Sequence, residues 1–507
     1  MNKSPLKVLF VCAEVAPFAT IGGLAQVAYF LPRALKKLGV DVSVFMPRYG
    51  TIDEKKYKIK PCFTGLTVPT GEVKGVTELV CNVKMREGTK RDPTVYFLEN
   101  MEYYEKRANV YGYSDDAIRF ALLSRGAIEF IKATDMRPTV IHCNDWHTGF
   151  LANYLRTIYK GDPTLKNVST VFTIHNLKNQ GIFDFRFASP MDFDDGKSTT
   201  ASFFAPQFQK QNALKRGIIY SDLVNTVSET YSREIMTPEY GEGLSELLKE
   251  LRTKVFGVLN GLDHTDFDPV HDRFIKKNYS WRTLSDRIAN KRDLQRSFGL
   301  TVDPKIPILA YSGRLDDQKG LDLLIDVLPT LLSEYHVQFV VIGTGHAKYR
   351  DFFTKLEIQF PGLVGTHLMR DFVLPRRVFA GADMLLLPSK FEPGGIVVIE
   401  GMRYGTVPIV RSTGGLADIV TDFDPEHNTG NGFTFHNYNK LSLFGSIIRA
   451  IQVYRNEKLW GDLMKRVMKE DVSWEKAACQ YIDLYTRAIE FRRDRQNPVT
   501  SIGKTIE

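Results

Sequence analysis

Short runs rich in valine, isoleucine and phenylalanine alternate with longer helical stretches along most of this 507-residue chain. Nearly continuous apolar strands separated by helices belong to parallel sheets covered on both faces. In the first half the expected strands read KVLFVCAEV, VDVSVFMP, TELVCNVKM, PTVYFLEN, PTVIHCND, STVFTIHN and DLVNTVSE. In the second they read PILAYSGRL, VQFVVIGTG, ADMLLLPS, VPIVRS and GFTF. The rhythm restarts near Pro307, after a charged helical stretch over 278–298. An α/β protein of two doubly wound domains is therefore expected. The join falls near VLNGLDHTDFDP (258–269), a segment of turn-forming residues.

Composition narrows the function classes. Hydrophobic residues make up 43% and charged residues 25%, the profile of an ordinary globular protein. A formal charge of +8 is small for this length. It suits a small anionic ligand and lacks the clustered basic face of a nucleic-acid binder. The five cysteines, at 12, 62, 81, 143 and 479, are odd in number, scattered and without a CxxC pair. Neither a disulfide framework nor a zinc site is expected, and a reducing cytosol is the simplest home. The opening apolar run carries Glu14, which marks it as a buried strand rather than a leader. No stretch reaches 18 uncharged apolar residues, so no membrane span is expected.

Ligands of open parallel sheets bind beyond the carboxyl ends of the strands, and the unusual residues of this chain cluster there. FATIGGLAQV places Gly22 and Gly23 between a strand and a helix, with Thr20 ahead of them and Gln26 behind, and no cation. SGRLDDQKG supplies Arg314 and Lys319 beside Gly313 and Gly320. Arginine grips phosphate bidentately and lysine acts as a point charge, a pairing suited to a diphosphate. RSTGGLADIV sets Thr413, Gly414 and Gly415 before a helix starting near Leu416, where backbone N–H groups can meet phosphate oxygens. Neither this loop nor VIGTGHAKY matches a P-loop or a dinucleotide fingerprint.

SKFEPGGIVVIEG holds Glu392 and Glu400, eight residues apart, followed or separated by Gly394 and Gly395. That spacing places the two carboxylates about two helical turns apart on one face. Two carboxylates also suit a hydrolase pair, but the phosphate-gripping loops favour a transferase. VIHCNDWHTGF and TIHNL carry His142, Asp145, His147 and His175. The two histidines of the first stretch are five apart and no H-E-x-x-H occurs, so zinc is not expected. His175, at a strand end, is the better site candidate.

Together these stretches, with NTVSETYSREI, YGYSDDAIRFALLSRGAIEF, GADMLLLPSKFEPGG and MRYGTVPIVRSTGGLADIV, resemble the bacterial glycogen synthase and plant starch synthase family, the family 5 retaining glycosyltransferases. The resemblance covers roughly 7–491. It implies the GT-B fold, two doubly wound domains facing across a cleft: an acceptor-side domain over 1–262 and a nucleotide-sugar domain over 263–473. A helix over 474–493 would return to the first domain, followed by a polar tail over 494–507. It implies transfer of glucose from a nucleotide-glucose, ADP-glucose favoured, to the 4-OH end of an α-1,4-glucan, with retention, without metal or cofactor, and with no nucleic-acid or membrane partner. Position by position, Arg314 and Lys319 match cations at the leaving diphosphate and Glu392 a carboxylate at the glucose hydroxyls. His175 matches a histidine whose carbonyl faces the anomeric carbon, and Asp145 an aspartate beside the glucose. Gly22, Gly23, Gly313, Gly394, Gly395, Thr413, Gly414, Gly415 and Leu416 match donor loops.

The chain departs from the family pattern at several of these points. Thr20 and Gln26 stand where the family places Lys and Asp, and Gly394 where bacterial members have Cys. Glu400 makes an E-x7-E pair more typical of family 4. No tyrosine is evident for the donor base, and Arg370 or Phe372 is the alternative. ADP versus UDP, a different donor or small acceptor, a weakly catalytic glucan-binding role and the oligomeric state stay open at this level.

Overall fold

The computed structural model describes residues 6–182 and 194–496; the first five residues and the expected polar tail from 497 on lie outside them. The chain divides into two compact units. One is Met1–Val227, Glu234–Val258 and Trp474–Glu507, and the other is Ser228–Arg233 with Leu259–Ser473.

The first unit is built on a nine-stranded sheet. Its strands are β1 (Lys7–Val11), β2 (Asp41–Pro47), β3 (Lys60–Pro69), β4 (Glu78–Arg86), β5 (Thr94–Glu99), β6 (Val140–Asn144), β7 (Ser169–Ile174), β8 (Leu223–Thr226) and β9 (Val255–Gly257). They lie in the order β3-β4-β5-β2-β1-β6-β7-β8-β9. The apolar runs expected to be parallel are so from β5 to β9, but β4 pairs antiparallel with β3 and β5. The edge strand β3 is not evident in the sequence because Pro61, Gly65 and Pro69 interrupt it. It tolerates them as an edge strand with two register shifts, where a missing N–H does not break an inner ladder.

The second unit holds β10 (Ile308–Ser312), β11 (Gln338–Ile342), β12 (Val364–His367), β13 (Met384–Leu387), β14 (Val407–Arg411) and β15 (Phe433–Phe435). They are all parallel, in the order β12-β11-β10-β13-β14-β15. Every residue of β10, β11 and β13 is buried, as expected of strands covered on both faces.

In each sheet the order reverses beside a central strand. β1 lies between β2 and β6, and β10 between β11 and β13. Loops leaving such a strand and its neighbour diverge, opening a crevice at the carboxyl ends. Those loops carry Gly22–Gly23 and Asp145 in the first unit, and Arg314–Lys319 and Glu392 in the second.

The last helix, Trp474–Gln496, runs beyond the expected 493 and belongs to the first unit. Its Tyr485 hydroxyl meets His142 Nδ1 at 2.8 Å, and Thr173 Oγ1 meets Nε2 at 2.7 Å. His142 is thereby a satisfied core residue, with burial pushing its ring toward the neutral form. Among the described residues no helix is long and apolar enough to cross a membrane.

Candidate functional site

In the first unit the site begins where β1 ends. Beyond Val11 the chain curls back, with Ala19 N–H donating to Val15 O and Ala16 N–H to Ala25 O. The helix Gly23–Lys37 then starts with neither a capping side chain at Gly22 nor an acid in its first turn. Glu14, only 4% exposed, fills that gap: its Oε2 accepts the N–H of Ile21 at 2.6 Å and of Gly22 at 3.1 Å.

Beside it, β6 is followed by Asp145, whose φ of 55° and ψ of −177° lie outside the ordinary regions for a side-chain-bearing residue. Such backbone costs about 1–3 kcal/mol and persists where surrounding contacts over-determine it. The contacts here are specific. Asp145 N–H donates to Thr173 O, and its Oδ1 accepts the N–H of His175 at 2.8 Å. The N–H of Asn176 bonds the same carboxylate. Desolvation outweighs these bonds, with Glu14 adding to it, and pushes the carboxyl up to about 7. His175 Nε2 faces Asn144 Oδ1 at 3.0 Å, while Asn144 Nδ2 donates to Val11 O. Nε2 therefore carries the proton in a neutral ring, which burial holds down at about 3. His147 packs against Tyr111 and Trp146, also held neutral by burial.

In the second unit the loop after β10 carries Arg314 and Lys319. Arg314 is 64% exposed, pairs with Asp316 at 2.7 Å and donates to Gln318 Oε1 at 3.2 Å. Lys319 is largely buried and meets Glu392 Oε2 at 2.5 Å, and Ser389 Oγ donates to the same oxygen at 3.2 Å. Gln318 fastens the two loops, accepting Lys390 N–H at 2.8 Å and donating to Phe391 O at 3.3 Å. Gly320 closes the turn with φ of 68°, and a Cβ there would lie 1.9 Å from Pro388 O. Gly320→Ala combines left-handed strain of about 1–2 kcal/mol with that clash. It should lower the melting temperature by roughly 4 °C or more, read by calorimetry.

The Gly414–Gly415 turn packs directly on the Glu392 turn. A Cβ on Gly415 would sit 2.6 Å from Gly394 C, and Gly415 N–H donates to Glu392 O at 2.9 Å and Pro393 O at 3.1 Å. Leu416 N–H donates to Thr413 O at 3.0 Å. Two of the amides expected to face phosphate thus have partners within the chain.

Cavities of about 480 Å³ in the first unit and about 1030 Å³ in the second open at the amino ends of the strands, among residues such as Lys7 and Asp41, or Pro307 and Asp383. They are apart from the strand-end loops just described.

A family model described as starch synthase catalytic domain matches residues 7–250, and one described as glycosyl transferases group 1 matches 295–461. The glycogen synthase of Thermotoga petrophila (strain ATCC BAA-488 / DSM 13995 / JCM 10881 / RKU-1) is 39% identical over 490 residues, 96% of this chain and 99% of that protein. The chain belongs to the glycogen and starch synthase family. The glycogen synthase of Geobacillus stearothermophilus is 40% identical over 489 residues, 96% of this chain and 98% of its own length. Among solved structures, the catalytic domain of starch synthase IV from Arabidopsis thaliana, bound to ADP and acarbose, superposes with a TM-score of 0.84 at 30% identity, over 96% of this chain and 100% of that one. This family member is a glycosyltransferase of the GT-B fold.

Within the first unit, Gly22, Gly23, Asp145 and His175 lie on loops leaving the neighbouring strands β1, β6 and β7, with Thr20 one residue ahead of the Glu14-bound amides. Within the second, Arg314, Lys319, Glu392, Gly394 and Gly415 form one connected group, with Gly313 at the end of β10 and Gly395 as the left-handed cap of the helix Ile396–Arg403. Glu400 stands apart from the expectation. Glu392 precedes that helix, so the spacing of eight does not place the two on one helical face. The charges acting on Glu400 are Arg376 and Asp266, and burial pushes it up to about 8. Arg370 lies over the ring of exposed Phe372, 4.8 Å from its centroid.

Because Glu400 binds its proton more tightly in the fold than at its usual 4.5, stability falls as pH rises from about 4.5 to about 8. Glu400→Gln mimics the neutral acid, so the variant's melting temperature relative to wild type should rise between pH 5 and pH 9. An equal difference at both pH values would show that Glu400 is not held neutral.

Sequence reading misses Glu14, Gln318 and Ser389 as site-forming groups. The available signal for Glu14 was an acid inside a buried apolar run, at the end of the strand where the order reverses.

Proposed function

We propose that this family member elongates an α-1,4-glucan by transferring glucose from ADP-glucose to the 4-OH of its non-reducing end, with retention. The observation that carries the reading is the buried Lys319–Glu392 contact, fastened to the Gly414–Gly415 turn. It joins a cation suited to a leaving diphosphate with a carboxylate suited to sugar hydroxyls. Donor binding would draw Lys319 toward phosphate, and Arg314, itself exposed although held by the largely buried Asp316 and by Gln318, can swing to the same charge. Charges fixed where negative charge develops lower the barrier without reorganisation at the moment of reaction.

On the other unit, Asp145 grips both the His175 and Asn176 N–H groups. The second belongs to the same peptide group as the His175 carbonyl, so the carboxylate fixes where that carbonyl points. A carbonyl so held can stabilise positive charge at the anomeric carbon. The ADP found in the solved starch synthase IV supports adenine over uracil. The same reading places the enzyme in the cytoplasm, where its five free cysteines stay reduced.

Purified protein offered labelled ADP-glucose or UDP-glucose with glycogen tests this. Incorporation with the higher kcat/KM for ADP-glucose is expected. A small glucosylated product, or glycogen binding without turnover, would overturn the reading.

A further inference from the structure

The Gly22–Gly23 loop raises a question that the family's donor contacts do not answer: what holds its shape. The helix it opens has no side-chain cap and no acid in its first turn, an arrangement that normally leaves amides for water or an anion. Here the chain supplies its own anion from upstream. Glu14 is almost fully buried beneath a loop whose Ile21, Gly22 and Gly23 are exposed, and both N–H bonds converge on the single oxygen Oε2. A carboxylate at a helix start is favoured by the dipole as well as by the bonds.

We infer that Glu14 is the positioning residue of this loop: by capping Ile21 and Gly22 it sets the turn that presents Gly23 to the sugar nucleotide. The inference rests on the proposed transfer activity. It does not require Glu14 to touch substrate. The reach of one oxygen decides whether the two bonds form, because a single acceptor takes both, and the charge adds a smaller contribution through the helix dipole. Glutamine keeps that oxygen at the same distance from the backbone. Aspartate keeps the charge but withdraws it by one methylene.

Two variants of the full chain therefore separate positioning from charge. In Glu14→Gln the amides of Ile21 and Gly22 should keep their protection in hydrogen–deuterium exchange, and the KM for ADP-glucose should stay within about threefold of wild type. In Glu14→Asp those amides should exchange at least about tenfold faster and the donor KM should rise by about tenfold, the scale of a lost hydrogen bond. The KM for glycogen should hold in both, so that in Glu14→Asp the donor KM rises alone, whereas general destabilisation would lower the apparent kcat and leave both KM values unchanged. Equal damage in both variants, or an intact Glu14→Asp, would overturn the inference. If the wild type transfers no glucose from either donor, the proposed function fails, while the exchange of Ile21 and Gly22 still decides the role of Glu14.

Discussion

Lys319→Ala should lower kcat by about two orders of magnitude or more, the scale on which a positioned charge at a developing anion acts. The side chain is largely buried and its Nζ lies 2.5 Å from Glu392, so the substitution also strands a buried carboxylate. Breaking such a pair is destabilising in itself. The double variant Lys319→Ala with Glu392→Gln separates the two effects. It should recover melting temperature, since glutamine needs no cation, yet remain as slow as the single variant or slower. Steady-state kinetics beside calorimetry reads both. A single variant that turns over at the wild-type rate would remove Lys319 from the mechanism.

Asp145→Ala should be comparably damaging for a different reason. It removes the acceptor for two consecutive N–H groups and so releases the peptide that carries the His175 carbonyl. Misplacing a group near the reacting atoms by about 1 Å can cost 10²-fold, and kcat should fall by about that factor with a smaller change in donor KM. Asp145→Asn keeps an acceptor oxygen and a residue type that tolerates positive φ, so it should retain clearly more activity than the alanine variant. If the two variants are equally inactive, charge rather than peptide orientation is what Asp145 supplies.

The parallel strands were legible because burial on both faces leaves uninterrupted apolar runs, as in ILAYS and QFVVI. β3 was not, because its prolines and glycine are compatible only with an edge, and edges depend on pairing that local sequence does not encode. β9 and β12 read VFG and VGTH, short strands in which a glycine cuts the apolar run. Arg314, Lys319 and Glu392 stood out by lying at strand ends beside glycines and His175 by closing a strand, while Asp145 was named by the family resemblance. Their neighbours' roles depend on contacts far along the chain. Glu14 acts on amides seven and eight residues later, which only the curl of the loop brings back to it. Gly415 gives its N–H to a turn more than twenty residues upstream, so a helix start that looked ready for phosphate is partly filled. The Glu392–Glu400 spacing misled because the helix begins at Ile396, after a left-handed Gly395.

The most direct test of the account is the product itself. A maltooligosaccharide of defined length is incubated with ADP-glucose, and the product is examined by mass spectrometry and by the anomeric signal in proton NMR. Growth by single glucosyl units joined through new α-1,4 linkages is the predicted result. No growth with ADP-glucose, or a β-linked product, would contradict it.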